Sequence, residues 1–164
     1  RGFVGGGGGE AAVSFDCSVY VLNLLTNMVE AAPEGSGKAL LEGGEGKVAF
    51  LLEVMGRELG PISGLILEGR DGEVTMEEED QLALGGNVSV LLATLLAKGG
   101  GKFEAAILYK AEGTSVSKQF LWMSLTRFVA LMEARCGLVS LGLAGGVLKL
   151  IDGLRGETEN NVTS

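Results

Sequence analysis

Two short stretches of this chain carry residue types that could take part in chemistry, and the first is Gly35-Ser36-Gly37-Lys38. Glycine followed by lysine ends the phosphate-binding loop of many nucleotide-binding proteins, where backbone amides and the lysine hold phosphates. The complete motif also needs glycine at position 32 and serine or threonine at position 39, but alanine occupies both positions. The motif must follow a strand, whereas a helix is predicted here. The sequence therefore predicts no phosphate site.

The second stretch is an acidic run of four residues that ends at Asp80. Neighbouring carboxylates can bind a divalent cation, so one hypothesis is an enzyme that uses Glu77, Glu78 and Asp80 with a metal. Such a run more often forms a solvated loop or the start of a helix. A calcium loop in this region would need ligands at positions 67 and 69, which hold Leu67 and Gly69. Its coordination would be incomplete.

Histidine is absent from the chain, which removes the commonest general base and the commonest metal ligand. Catalytic triads that need histidine and HExxH zinc sites are therefore excluded. The two cysteines, Cys17 and Cys136, are too few for a four-cysteine zinc site. They could pair, but we expect two buried thiols. The sequence assigns no catalytic, cofactor-binding or metal-binding residue, and we predict a protein without catalysis or cofactor.

The charge balance is 13 basic against 21 acidic residues, a net charge of −8. An acidic surface repels phosphate backbones, so we expect no direct nucleic-acid binding. The longest apolar runs, 88–97 and 138–148, are shorter than the roughly 20 residues that span a membrane, so we expect no membrane segment. Asn87 and Asn161 begin glycosylation tripeptides, which often arise by chance.

Apolar periodicity predicts a mostly helical chain. Hydrophobic residues make up 46% and charged residues 21% of the 164 residues, as in a globular domain. Within the ambiguous segment 61–80, the apolar residues 61–67 are compatible with a short helix or a strand, and 69–72 are expected to form a turn. The aromatic residues Phe120, Trp122 and Phe128 are expected in the core, since no basic cluster surrounds them. The predicted helices are 14–32, 38–42, 47–59, 87–98, 102–110, about 114–135, and 138–154.

Capping residues and helix breakers set these boundaries. Ser14 or Asp16 is expected to cap the first helix, and Asn87 the fourth. The glycines at 99–101 are expected to end the fourth helix, and Thr114 or Ser115 to cap the sixth. We expect a disordered glycine-rich segment at 1–10, one helical domain at 11–155 and a polar tail at 156–164.

An internal repeat emerges when the chain is shifted by 68 residues. Positions 90–98 then align with Leu22-Asn-Leu-Leu-Thr-Asn-Met-Val-Glu30, and positions 107–109 align with 39–41. If a gap of four residues is allowed, positions 120–131 also align with 48–59. Each copy reads as an apolar helix, a breaker, a short helix and a long apolar helix, which predicts repeat units at about 14–59 and 87–132. Residues 138–154 would form a closing helix.

The first copy resembles an armadillo repeat. The stretch from Leu22 to Glu30, the following Pro33-Glu34 and the short Lys38-Ala-Leu-Leu-Glu42 match the order of an armadillo first helix, a loop with proline and a short second helix. The resemblance covers 19–59 and extends loosely over 87–132. It implies an all-α stack of about six to seven helices, like armadillo and HEAT repeat proteins.

A narrower resemblance is to the C-terminal domain of the Wapl family, the cohesin-release factors. It rests on 22–30, the acidic segment 77–80, Val90-Leu-Leu-Ala-Thr-Leu-Leu96, the stretch from Phe120 to Met132, and the amphipathic 147–154. It implies a HEAT-type stack that binds cohesin subunits and a cohesin-associated regulator in the nucleus, during chromosome segregation in the cell cycle. The alternative is a generic armadillo scaffold, a transport adaptor or chaperone co-factor, in the cytoplasm. Neither assigns partner-binding residues.

Overall fold

The computed structural model describes residues 7–42, 46–68, 74–111, 116–136 and 146–153. Within these ranges the chain is helical and contains no strand, which confirms the predicted all-α class. A π-helical segment, Pro33–Gly37, joins the first two helices. The helices are α1 (Gly7–Ala31), α2 (Lys38–Glu42), α3 (Gly46–Leu59), α4 (Ser63–Glu68), α5 (Met76–Ala111), α6 (Lys118–Cys136) and α7 (146–153).

The first helix begins earlier than the sequence predicts. Residues 7–10, which we had placed in the glycine-rich N-terminal segment, belong to α1. Ser14 is therefore an interior residue, and its carbonyl accepts a hydrogen bond from Ser18 Oγ at 2.8 Å. The helix ends where expected, because Ala32, with φ −144° and ψ 68°, leaves the helical region before Pro33.

The fold is organised around α5, a 36-residue helix that is about 54 Å long at the usual rise per residue. Helices α1, α3 and α6 all pack against it. The side chains of Leu91 and Leu95 are fully buried, as is Met55 on α3. Burial of this kind contributes roughly 1.5–3 kcal/mol per large apolar side chain, so α5 is the centre of the core.

Two adjacent glycines, Gly85 and Gly86, lie inside α5. A Cβ atom on Gly85 would overlap the Leu59 side chain, and one on Gly86 would overlap Phe128. These two glycines therefore let α3 and α6 approach the α5 backbone closely. The prediction that Asn87 caps a helix is wrong, because Asn87 lies in mid-helix and its Nδ2 donates to the Ala83 carbonyl at 2.8 Å.

The prediction that residues 99–101 end a helix is also wrong, since α5 continues through all three glycines to Ala111. Glycine costs about 1 kcal/mol in a helix interior relative to alanine, which weakens a helix without forbidding it. As a result, the predicted helices 87–98 and 102–110 are parts of one element. The predicted second repeat unit thus has a continuous helix where the predicted first unit has α1, the π-helical segment and α2.

Two helix starts are set by capping side chains that we did not single out in the sequence. Thr75 and Glu78 form a capping box at α5, in which Thr75 N donates to Glu78 Oε2 at 2.8 Å and Glu78 N donates to Thr75 Oγ1 at 3.3 Å. At α6 the cap is Ser117, whose Oγ accepts from Phe120 N at 3.0 Å. Thr114 and Ser115 lie outside the described residues.

The remaining boundaries follow the predictions in part. Helix α2 has the predicted bounds, and α3 begins one residue before the predicted start. The ambiguous stretch after Pro61 forms the short helix α4. The closing helix is described over 146–153. Its predicted first half, 138–145, lies outside the described residues, as do the expected turn at 69–72 and most of the two terminal segments.

One stretch, Met76–Lys98 within α5, is long and apolar enough to cross a membrane by length and composition. The expectation from uninterrupted apolar runs missed it because a few polar residues divide it. In its most apolar window 67% of the residues are buried inside the structure. The central helix of a folded core meets the same criteria of length and composition, so this feature is weak evidence for a membrane span.

Candidate docking groove

Helices α1 and α3 both pack on α5 but make little contact with each other, which leaves a groove between them. The groove encloses about 510 Å³. Its floor is formed by Leu84 and Val88 of α5, and Leu40 of α2 also lines it. Its two walls are Ser14, Cys17, Ser18, Val21, Leu22 and Leu25 of α1, and Lys47, Phe50, Leu51, Val54 and Arg57 of α3.

The α1 wall follows from helical spacing. Lining residues recur three and four positions apart, which places them on one face. Leu22 near the floor is 8% exposed, whereas Val21 at the mouth is 54% exposed. Thr26, the buried threonine of α1, does not line the groove, and its hydroxyl donates to the Leu22 carbonyl at 2.9 Å. The wall is therefore apolar from Val21 to Leu25, while its two serines and Cys17 lie towards the N-terminal end of the groove.

The α3 wall has the same spacing. Leu51 and Val54 are buried towards α5, while Phe50 is 60% exposed at the mouth of the groove. An exposed phenylalanine beside buried leucine and valine forms a continuous apolar surface open to solvent. Such surfaces mark binding sites more often than scattered single exposed residues do.

Two cations lie at the ends of the α3 wall, Lys47 near its start and Arg57 near its end. Lys47 Nζ donates to the Ala39 carbonyl at 3.1 Å, which uses one of its three donors. Arg57 Nε pairs with Glu58 Oε1 at 2.8 Å, and the Arg57 side chain remains 62% exposed. None of the described acidic residues lines the groove, although the chain carries net charge −8.

Helix α1 exposes further apolar side chains outside the groove. Tyr20, Leu24 and Met28 are 75%, 60% and 46% exposed. They recur every four residues and form a stripe beside Val21, which we call the α1 stripe. On the opposite side of the same helix, Val29 is fully buried. The apolar side chains of α1 thus extend beyond the face that it buries, which leaves an exposed apolar surface suited to a partner.

Cys17 corrects one sequence prediction. We expected both cysteines to be buried, but Cys17 is an exposed free thiol that lines the groove. The expectation rested on the usual burial of free cysteine, and it failed because no described segment of the chain covers this face of α1. The side chain of Cys136 lies outside the described residues.

A second, smaller cavity of about 60 Å³ lies between α1, α5, α6 and α7. Its lining is mostly polar on the α1 side, with Asn23, Asn27 and Glu30, and it also includes Asn87 and Phe128. Asn87, which begins one glycosylation tripeptide, is only 9% exposed here. Because glycosylation needs an accessible asparagine, Asn87 is not a glycosylation site in the folded chain.

The structure places the residues considered for chemistry apart from the groove. Gly35–Gly37 form the π-helical segment after a helix, so the strand that a phosphate loop requires is missing there. Lys38 pairs with Glu42 at 3.6 Å. Glu78 serves as the capping carboxylate of α5. Among the described residues, no three acidic, cysteine or histidine side chains lie together in a group that could hold a metal ion.

The aromatic residues expected in the core lie there. Phe120 and Phe128 are 6% and 5% exposed, and Trp122 packs, partly buried, against the same core cluster.

The sequence interpretation missed the groove itself, because the helical spacing of the lining residues on α1 and α3 is the same as that of a core face. One feature of the sequence could have indicated an exposed apolar surface: α1 has more apolar residues than a single buried helix face needs.

No significant match to this chain is found among protein-family models, curated proteins or solved structures.

Proposed function

We propose that this chain is a non-catalytic protein-interaction domain that binds a partner along the groove between α1 and α3. The observation that carries the proposal is the apolar groove of about 510 Å³, continuous through Val21 with the exposed α1 stripe. Binding there would remove Val21 and Phe50 from water, which favours association by roughly 25 cal/mol per Å² of apolar surface.

We further propose that the helices form an armadillo- or HEAT-type stack and that the chain acts as a Wapl-like release factor for cohesin. The support is the Wapl-like pattern of 22–30, 90–96 and 120–132. The partner would be a cohesin subunit or a cohesin-associated regulator in the nucleus. Release would follow if the domain binds the open cohesin ring more tightly than the closed ring, because only differential affinity shifts such an equilibrium.

Pull-down of purified cohesin subunits by the folded 164-residue chain tests the proposal. We expect at least one subunit or regulator to be retained, and Phe50→Ser to reduce its retention at least fivefold. Leu67→Ser is the matched control, because Leu67 is 48% exposed on α4 and does not line the groove. Retention of no cohesin component contradicts the Wapl-like assignment. Retention of an unrelated protein that depends on Phe50 would instead support the generic scaffold.

A further inference from the structure

We infer that the occupant of the groove is an amphipathic α-helix of another protein, with one apolar face and a carboxylate near each end of that face. This inference deepens the proposed function and rests on it. It names the chemistry of the partner, which neither the apolar lining nor the Wapl-like pattern specifies.

The shape of the groove favours a helix. Two helices form its walls and a third forms its floor, so a fourth helix can pack its side chains between theirs, as helices do in bundles. The lined part of α1 runs from Ser14 to Leu25, about 16 Å at the usual rise per residue. About three helical turns of a partner fill this length.

The two cations at the rim of the groove indicate where a partner helix would place its carboxylates. Lys47 and Arg57 are ten positions apart on α3, about 15 Å along its axis, with Phe50, Leu51 and Val54 between them. Within the described part of the chain, no acidic side chain lines the groove between these two cations. A partner helix with carboxylates about three turns apart would therefore pair with both cations while its apolar face covers Phe50.

The same charges disfavour other occupants. A second copy of this chain also carries a net charge of −8, and repulsion between two acidic chains opposes their association. A helix with lysines at its ends would place like charges against Lys47 and Arg57. The groove therefore selects its partner helix by end charge as well as by apolar spacing.

Two fluorescent peptides of about fourteen residues test the inference. Each has leucines on one face of an otherwise alanine-rich helix. The acidic probe carries glutamates ten positions apart at the ends of that face, and the lysine probe carries lysines at those two positions. Fluorescence anisotropy should show saturable binding of the acidic probe to the 164-residue chain, about tenfold tighter than the lysine probe at low salt.

Charge reversal in the protein supplies the decisive comparison. In the double variant Lys47→Glu with Arg57→Glu, the preference should invert in favour of the lysine probe. The matched control reverses Lys98 and Lys149, which are exposed and do not line the groove, so its net charge changes equally. That control should keep the preference for the acidic probe. Equal binding of both probes to the unmodified chain, or an equal loss of preference in both double variants, overturns the inference.

Cys17 gives an independent reading of where the probe lies, because its thiol lines the groove. In a Cys136→Ser background, the acidic probe should slow reaction of Cys17 with a maleimide at least fivefold. An unchanged rate while the probe is bound overturns the location. If light scattering shows a dimer in which Cys17 is protected without peptide, the occupant is a second copy and the inference falls.

Failure of this inference is distinguishable from failure of the proposed function. If cohesin components are retained equally by the unmodified chain and by the Lys47→Glu, Arg57→Glu variant, the rim charges play no part and the inference fails while the function stands. If the acidic probe binds as described but no cohesin component is retained, the groove chemistry stands and the Wapl-like assignment fails.

Discussion

At the scale of single residues, Gly86 has a packing role that its helical propensity does not reveal. It lies where the Phe128 ring rests directly on the α5 backbone, so any Cβ atom there would overlap the ring. Gly46, at the start of α3, has open space around the position of its Cβ. Gly86 lies in a helix interior, whereas Gly46 is the first residue of its helix, so the two glycines differ in position as well as in surroundings.

We therefore expect opposite effects of alanine at these positions. Gly46→Ala should raise the free energy of unfolding by about 0.4 kcal/mol, chiefly because alanine restricts the unfolded chain, with little propensity gain at the first residue of a helix. Gly86→Ala should lower the free energy of unfolding by roughly 1–3 kcal/mol, because Phe128 must move within a packed core. Urea denaturation followed by circular dichroism measures both. A stabilising Gly86→Ala would contradict the close approach of α5 and α6.

The capping box of α5 gives a second prediction at this scale. Thr75→Ala removes the Oγ1 acceptor of the Glu78 amide and should lower the free energy of unfolding by about 1 kcal/mol. The control is Thr126→Ala on α6, where the hydroxyl bonds only to the Trp122 carbonyl within the helix. That change should be neutral or slightly stabilising, since alanine is the better helix former. Equal losses in the two variants would show that Thr75 does not act as a cap.

At the scale of helices, the accuracy of the sequence predictions depended on what lies next to each boundary. Helix α2 was predicted correctly because its flanking residues, Gly37 and Gly43, interrupt the local apolar pattern. Helix α5 was divided wrongly, because the three glycines at 99–101 lower the helix propensity without ending the helix. The groove was not predictable for a different reason: which apolar face remains uncovered depends on how far apart α1 and α3 pack on α5.

Helix α1 allows a direct test of its two faces. Val29 is fully buried, so Val29→Ala should lower the free energy of unfolding by about 1–2 kcal/mol through lost packing. Leu24, 60% exposed on the α1 stripe, should tolerate serine within about 0.5 kcal/mol. Binding of an environment-sensitive apolar dye to the folded chain should decrease in Leu24→Ser. A large loss of stability in Leu24→Ser would mean that the α1 stripe is covered within the chain.

At the scale of the whole molecule, α5 makes the described helices a single packed unit. Helices α1 and α3 contact each other little, and each gains its burial from α5, as does α6. If the helices form the proposed stack of repeats, α5 is the element that joins the neighbouring units. We therefore expect α1, α3 and α6 to unfold together with α5. Because α1 and α3 both pack on α5, the groove between them should keep its shape when no partner is bound.

This arrangement predicts how the molecule responds to a cavity at its centre. Leu95→Ala removes a fully buried side chain from α5 and should lower the free energy of unfolding by about 2–5 kcal/mol. Because α1, α3 and α6 depend on the same helix, amide hydrogen exchange under conditions of global opening should accelerate by a similar factor in all three. Trp122 fluorescence, from α6, and helical circular dichroism should then give coincident urea transitions. Faster exchange confined to α6, with α1 and α3 unaffected, would show that the helices open separately and that α5 does not unify the core.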